Sequence, residues 1–252
     1  MENKKKGKVR KVRVNDFLFA YDNKTKVVEE TIRLASEIRG SYVIITDVSG
    51  FSLATRDKQS IDAFSKAALI VSDSNVLQRL ISKKKKLPFI KVAYGPDLMR
   101  AICAAASQKN LNIGLFGCQT DYEMQALVSN LKQEIPALKI TYTQSPPIQR
   151  VERFDAEQIS HEVTLKNVDI LFVGLGAPKQ NILMRRMQDT SRFMSVGIGG
   201  AFDFNSGRVK RSPKIIHEMG LEWLYRLFVE PKRLWRRVLG NFLGIIQTYN
   251  NI

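Results

Sequence analysis

The segment VDILFVGLGAPKQ, residues 168–180, decides the fold predicted from this sequence. It begins with an apolar run, ends that run on a glycine turn, and continues into Lys179 and Gln180 at the start of a predicted helix. A short continuous apolar run is typical of a strand buried on both faces of a parallel sheet. The segment RFMSVGIGG, residues 192–200, repeats the pattern. The two segments predict neighbouring strand-to-turn junctions in an α/β protein.

Similar apolar runs occur upstream and are separated by helical patterns. Because strands that alternate with helices form parallel sheets, we predict an α/β fold: a Rossmann-like parallel sheet with helices on both faces. The ligand crevice of such a sheet lies at the carboxyl ends of the strands. The other predicted strands cover residues 41–48, 68–74, 112–117 and 139–145.

The chain divides into three predicted parts. Residues 1–13 are a lysine-rich N-terminal arm, residues 14–204 form the Rossmann-like core, and residues 205–252 form a C-terminal helical appendage. The appendage carries nine Lys or Arg against three Glu. At helical spacing, residues 234–249 form an apolar face opposite a basic face. The apolar face could lie at a bilayer interface or pack on the core, and the pattern leaves both possibilities open.

Composition limits the class of protein. At 252 residues with 44% hydrophobic content, the chain can bury a large core. Its 40 Lys and Arg against 24 Asp and Glu give a net charge of +16, which calls for a nucleic acid, an anionic bilayer or a phosphorylated substrate. Cys103 and Cys118 suggest a reduced cytosolic chain rather than a disulfide. We see no apolar run long enough to span a bilayer and no secretory signal, which predicts a cytoplasmic protein, soluble or on a membrane surface.

Polar residues follow two of the predicted strands. Asp73 is a candidate general base at the end of a buried strand, although it could equally cap the helix that begins at Asn75. Thr46 and Asp47 present the same choice between a site and local loop hydrogen bonds. The recurrence of such residues at strand ends predicts a site there.

Four further residues are candidates for ligand binding. Gly117 lies at a strand–glycine–helix junction, where a phosphate or nucleotide can approach the backbone. Lys179 and Gln180 could hold a uracil, ribose or phosphate, or could simply solvate the start of a helix. Asp203 could pair with a cation or bind sugar hydroxyls, and a structural salt bridge is an alternative.

Several classes of site are excluded by missing motifs. GLGAPKQ, residues 174–180, lacks the third glycine of a dinucleotide fingerprint and places a proline in the turn. The chain has no P-loop, Cys-x-x-Cys pair, G-x-S-x-G elbow or Asp-x-Asp pair. His161 and His217 lack ligand spacing, so no metal is predicted.

The chain resembles the WecG/TagA/CpsF family of bacterial glycosyltransferases (glycosyltransferase family 26). The resemblance is carried by DILFVGLGAPKQ, GIGGAFDFNSGRVKRSPK and GLEWLYRLFVEPKRLWRR, with ALIVSD, VAYGPDLM and NIGLFG upstream in the same order. It implies inverting transfer of a hexose or N-acetylhexosamine from a UDP-sugar to a polyprenyl-diphosphate-linked saccharide in cell-surface polysaccharide biosynthesis. It also implies no metal or other cofactor, no nucleic-acid partner, and a peripheral location on the inner face of the cell membrane; a homo-oligomer is left open.

The resemblance also assigns residues to roles. Asp73 corresponds to the catalytic aspartate that deprotonates the acceptor hydroxyl, and Thr46 to an active-site threonine. Gln180 and Asp203 correspond to the glutamine and aspartate of the A-P-K-Q and F-D motifs. The tail arginines that would reach the donor diphosphate are Arg226, Arg233 and Arg236.

Three departures from the family pattern leave the transferred sugar open. Thr46-Asp47-Val48 replaces Thr-x-Asn, Asp73-Ser74 replaces Asp-Gly, and residues 145–148 read Ser-Pro-Pro-Ile where Gly-Tyr-Phe is common. The last two changes are typical of an exopolysaccharide branch. The rival hypothesis is a non-catalytic basic protein that binds UDP-sugar, anionic lipid or nucleic acid.

Overall fold

The computed structural model describes residues 8–55, 57–91 and 94–210, and within these ranges it contains one eight-stranded sheet flanked by helices. The strands are β1 (Lys11–Val14), β2 (Phe17–Ala20), β3 (Tyr42–Thr46), β4 (Leu69–Ser72), β5 (Asn112–Gly117), β6 (Lys139–Gln144), β7 (Ile170–Gly174) and β8 (Met194–Gly197). The helices are α1 (Lys24–Glu37), α2 (Val48–Ala54), α3 (Lys58–Lys66), α4 (Asn75–Lys85), α5 (Gly95–Gln108), α6 (Asp121–Glu134), α7 (Ala156–Leu165), α8 (Lys179–Met187) and α9 (Ala201–Asn205).

The sheet has the order β1-β2-β4-β3-β8-β7-β5-β6, and every neighbouring pair except β1–β2 is parallel. The predicted α/β fold with a Rossmann-like sheet is therefore confirmed, with one antiparallel hairpin added at an edge. Because β3, β4, β5, β7 and β8 are adjacent, their carboxyl ends meet at one edge of the sheet.

Apolar side chains of the central strands alternate between the two faces, as the period of two requires. On one face Ile44 and Leu171 belong to a core covered by α2, α3, α4, α7 and α8. On the other face Val43 and Phe172 belong to a core covered by α1, α5, α6 and α9. All residues of β3, β4 and β8 are buried, which explains why these strands read as continuous apolar runs.

The edge hairpin differs from the predicted arm. Residues 11–13 were assigned to the arm, whereas they belong to β1 and pair with β2. Asn15 adopts a φ of 53° in the two-residue turn, a conformation that asparagine tolerates well. The ordered sheet thus begins three residues before the predicted start of the core.

Gly40 follows α1 in the chain but does not cap it. That helix is capped at Ile38, whose backbone N–H donates to the carbonyl of Leu34. Gly40 has a φ of 67°, and a Cβ there would lie 2.3 Å from the carbonyl oxygen of Gln188. The glycine is required by this close approach and by its backbone conformation.

Most of the predicted appendage lies outside the described residues. Residues 205–210 continue from the end of α9 through a turn, and the predicted amphipathic helix at 234–249 falls outside the described chain. Within the described ranges, every helix is too short or too polar to cross a bilayer.

Candidate active site

A cavity of about 380 Å³ opens at the carboxyl ends of β3, β4, β5, β7 and β8. Its position is the ligand crevice that the parallel sheet predicts. Six of the candidate residues singled out from the sequence line it together: Thr46, Asp47, Asp73, Lys179, Gln180 and Asp203.

Asp73 enters the cavity from the end of β4. Its backbone N–H donates to the carbonyl of Thr46 at 3.1 Å, which ties the ends of β4 and β3 together. The alternative role of helix cap is wrong, because Ser74 caps α4 and its hydroxyl accepts from Leu77 N–H at 3.4 Å. A Cβ on Gly95 would lie 3.3 Å from Asp73 Oδ2, so the glycine at the start of α5 leaves room beside this carboxylate.

Thr46 and Asp47 both line the cavity and both make local loop hydrogen bonds, since the Thr46 hydroxyl donates to the carbonyl of Asp47 at 3.2 Å. Asp47 is the N-cap of α2 and accepts from Gly50 N–H at 2.7 Å, so loop hydrogen bonding accounts for its carboxylate. Thr46 is only 4% exposed, and a Cβ on Gly50 would approach its hydroxyl to 2.4 Å. Val48, which replaces the asparagine expected from the resemblance, is buried in the core and does not line the cavity.

Gln180 is 2% exposed, and its side chain is used by the protein itself. Its Oε1 accepts from Gly176 N–H at 3.1 Å and from Gly199 N–H at 2.9 Å. These two N–H groups lie in the loops after β7 and β8, and Gly176 directly precedes the cis peptide bond between Ala177 and Pro178. They are therefore already satisfied without a phosphate.

Lys179 is the single Lys or Arg among the cavity-lining residues of the described chain. Its Nζ donates to the carbonyl of Gln149 at 3.0 Å. This bond connects the start of α8 with the loop 146–149, which forms one wall of the cavity. The ammonium group is thereby held at the cavity edge.

Asp203 forms an ion pair, one of the alternatives considered from the sequence. Arg208 Nη2 lies 2.6 Å from Asp203 Oδ1, and Arg208 Nε lies 3.5 Å from Glu123 Oε1. Burial, together with the nearby carboxylates of Glu123 and Asp203, raises the pKa of the Cys118 thiol to about 12. Arg208 was not predicted, although its spacing of five residues from Asp203 allows a local pair.

Gly117 is not among the residues that line the cavity, and the predicted approach of a phosphate or nucleotide to it stays a prediction. A Cβ on Gly117 would lie 2.8 Å from the ring of Phe202, and one on Gly174 would lie 2.5 Å from the same ring. Both glycines instead make room for Phe202, which packs beneath the cavity floor. Phe202 was missed by the sequence analysis because its partners are distant in the chain.

The remaining predicted residues, Arg226, Arg233 and Arg236, lie outside the described residues. Across residues 8–55, 57–91 and 94–210, the structure contains no group of three or more His, Cys, Asp or Glu placed to hold a metal ion.

Known proteins are similar to this chain over most of its length. An N-acetylglucosaminyldiphosphoundecaprenol N-acetyl-beta-D-mannosaminyltransferase of Bacillus subtilis (strain 168) is 30% identical over 191 residues, covering 74% of this chain and 70% of that protein. The enzyme of the same name from Bacillus spizizenii (strain ATCC 23059 / NRRL B-14472 / W23) is 28% identical over 162 residues, covering 64% of this chain and 60% of that enzyme. Residues 14–251 match the sequence profile described as the glycosyl transferase WecG/TagA/CpsF family. The chain belongs to this family of glycosyltransferases.

Proposed function

We propose that this protein transfers a hexose or N-acetylhexosamine from a UDP-sugar to a saccharide carried on a polyprenyl diphosphate. The observation that carries the proposal is the single cavity that gathers Asp73, Thr46 and Lys179 at the strand ends. The similar Bacillus proteins are named for transfer to an N-acetylglucosaminyldiphosphoundecaprenol, which supports the acceptor class.

In the proposed reaction, Asp73 accepts the proton of the acceptor hydroxyl. The acceptor oxygen attacks the anomeric carbon while the bond from that carbon to the diphosphate oxygen breaks, and UDP leaves with the bonding electrons. Attack from the face opposite the leaving group inverts the anomeric configuration. A positioned general base of this kind typically contributes about 10²–10⁴ in rate.

The leaving diphosphate needs positive charge, and the described cavity supplies one cation, Lys179. Because the diphosphate bears more than one negative charge, we propose that Arg226, Arg233 and Arg236 complete the site. In this arrangement Gln180 shapes the donor pocket by fixing its two glycine loops, and no metal ion is used.

The proposed reaction takes place at the cytoplasmic face of the cell membrane. The net charge of +16 supports this location, because the cytoplasmic leaflet is anionic. The basic amphipathic pattern at 234–249 also supports it, because it combines part of this charge with an apolar face. The departures at Ser74 and at residues 145–148 favour a product in exopolysaccharide synthesis.

The proposal is tested by assaying UDP release with UDP-GlcNAc, UDP-ManNAc, UDP-glucose and UDP-glucuronate, each with and without membrane-extracted lipid acceptors. We expect release with at least one donor, and only when acceptor is present. Asp73→Asn is expected to fold normally and to lower kcat by about 10²–10⁴. Asp121→Asn, which changes an exposed carboxylate on α6, is the matched control.

Two results would contradict the proposal in different ways. Full turnover by Asp73→Asn would contradict the assignment of Asp73 as catalytic base but would leave the proposed transfer reaction standing. A failure of every donor and acceptor pair, combined with salt-sensitive binding to duplex DNA, would instead favour a basic nucleic-acid-binding protein.

A further inference from the structure

Helix α4 and the segment after it expose an unusual mixture of basic and apolar side chains. Residues 75–91 contain six Lys or Arg and no Asp or Glu. Leu87 and Phe89 in the same stretch are 36% and 42% exposed. We define the α4 basic patch as six exposed residues of this stretch: Arg79, Lys83, Lys86, Leu87, Phe89 and Lys91.

The α4 basic patch is held in a defined shape. Arg79 and Lys83 lie one helical turn apart on the same exposed face of α4. The Arg79 guanidinium lies 4.7 Å from the centre of the Phe89 ring, a distance suited to a cation–π interaction. The exposed aromatic ring is therefore held against a cation of the helix.

The segment after α4 is fixed to the fold by hydrogen bonds. Lys86 ends the helix with a φ of 53°, and the N–H of Leu87 donates to the carbonyl of Ser82 at 2.9 Å. The carbonyl of Pro88 accepts from the hydroxyl of Tyr21 at 2.8 Å. Leu87 and Phe89 are therefore presented on an anchored segment.

The Arg79 end of the α4 basic patch lies nearest the proposed base, and Lys83 and Lys86 lie farther along the helix. Helix α4 begins at Asn75, two residues after Asp73, and Asn75 Nδ2 donates to the hydroxyl of Tyr94 at 3.0 Å. Arg79 is four residues further along the helix, an axial distance of about 6 Å. The patch thus starts about one helical turn from the Asp73 side of the cavity.

We propose that the α4 basic patch binds the surface of an anionic lipid bilayer and holds the Asp73 side of the cavity at the membrane. Lysine and arginine side chains near anionic lipid headgroups favour binding, and their apolar stems can lie along the interface. Phe89 and Leu87 add apolar area of the kind that enters the headgroup region. A nucleic acid would use the cations but would leave the leucine without a role, so the combination favours a bilayer.

The α4 basic patch contains no residue of the predicted C-terminal appendage. The reason for a membrane contact at the α4 basic patch rests on the proposed function, because a lipid-linked acceptor would be delivered at the membrane surface. Binding to vesicles can nevertheless be measured without any turnover, so the two proposals can fail independently.

The test is co-sedimentation of the full-length protein with phosphatidylcholine vesicles that contain or lack phosphatidylglycerol. We expect Lys83→Glu/Lys86→Glu to weaken binding to the anionic vesicles at least about tenfold. The matched control is Lys132→Glu/Lys139→Glu, which makes the same charge change at exposed lysines of α6 and β6. If the glutamate variant does not fold, as judged by circular dichroism, the glutamine pair at the same positions replaces it.

A second comparison tests the apolar part of the patch. Phe89→Ser is expected to weaken anionic-vesicle binding severalfold, whereas Tyr122→Ser, at an 81% exposed aromatic on α6, should not. Equal binding by patch and control variants would overturn the proposal. The proposal would also be overturned by a second result: the wild type fails to bind vesicles but binds duplex DNA, and the patch variants lose that DNA binding.

Activity in detergent separates this proposal from the proposed function. A patch variant should keep wild-type transfer to an acceptor in detergent micelles and lose transfer to the same acceptor in anionic vesicles. If the wild type transfers sugar neither in micelles nor in vesicles, the proposed function fails. The vesicle-binding comparison still tests whether the α4 basic patch binds the bilayer.

Discussion

The side-chain oxygen of Gln180 accepts a hydrogen bond of 2.9 Å from the backbone N–H of Gly199. The same oxygen accepts from Gly176 N–H, so one buried carboxamide links the loops that follow β7 and β8. Both loops line the cavity. The distance between these loops is therefore set from within the protein, before any ligand binds.

Replacing Gln180 tests this link. Gln180→Leu removes the acceptor from two N–H groups, and we expect the free energy of unfolding to fall by about 2–4 kcal/mol. Gln180→Glu retains an oxygen acceptor and should be less destabilising. Denaturant unfolding measures the change, with Gln158→Leu on the exposed face of α7 as control. A Gln180→Leu protein as stable as the control would show that the loops do not depend on this side chain.

The ion pair between Arg208 and Asp203 should contribute to stability. The side chains of Arg208 and Asp203 are 23% and 15% exposed, so this ion pair is intermediate between a surface pair and a fully buried pair. We expect Arg208→Gln to cost about 1–3 kcal/mol. In a double-mutant cycle, Asp203→Asn combined with Arg208→Gln should cost less than the sum of the single changes. Additive costs would mean that the pair contributes nothing as a pair.

The central strands could be located from the sequence because they are buried on both faces. The predicted strand at residues 112–117 coincides with β5, and five of the six residues in β5 are buried. Elements without such a signal were missed. Strand β2 has only four residues with Leu18 exposed, and helices α2 and α9 are too short to show a helical period. The Asn15–Asp16 turn was the signal that could have located the hairpin.

The sequence also indicated which side chains reach the cavity but not what they contact. Gln180 was predicted either to hold a ligand or to solvate the start of a helix, and neither prediction included the two loop N–H groups that its Oε1 accepts from. Gly117 was predicted to let a phosphate or nucleotide approach the backbone, and its close packing against Phe202 was not foreseen. These contacts join residues far apart in the chain, so local pattern carries no information about them.

Adding a methyl group at Gly117 should disturb the packing beneath the cavity. The new Cβ would lie 2.8 Å from the Phe202 ring and 3.0 Å from the Cα of Gly174. We expect Gly117→Ala to destabilise the protein by about 1–3 kcal/mol, as overpacking usually does. If the ring is the obstacle, Gly117→Ala should cost less in a Phe202→Leu background than in the wild type. An equal cost in both backgrounds would assign the effect to the backbone instead.

The buried thiol of Cys103 should make the protein sensitive to alkali. Burial inside α5 raises its pKa from 9.0 to about 12. The folded protein therefore holds this proton more tightly than the unfolded chain. The resulting stabilisation is complete below pH 9 and is lost as the pH rises toward 12.

We expect the free energy of unfolding to fall in this window, with a contribution from Cys103 of up to about 1.4 kcal/mol per pH unit. Cys103→Ala should flatten the profile relative to the wild type, whatever its effect on stability at neutral pH. Lysines and tyrosines titrate in both proteins and cancel in the comparison. Cys118→Ala should flatten it less, because that thiol is only partly buried and solvent screens it. Parallel profiles for Cys103→Ala and the wild type would show that the thiol titrates alike in the folded and unfolded chains.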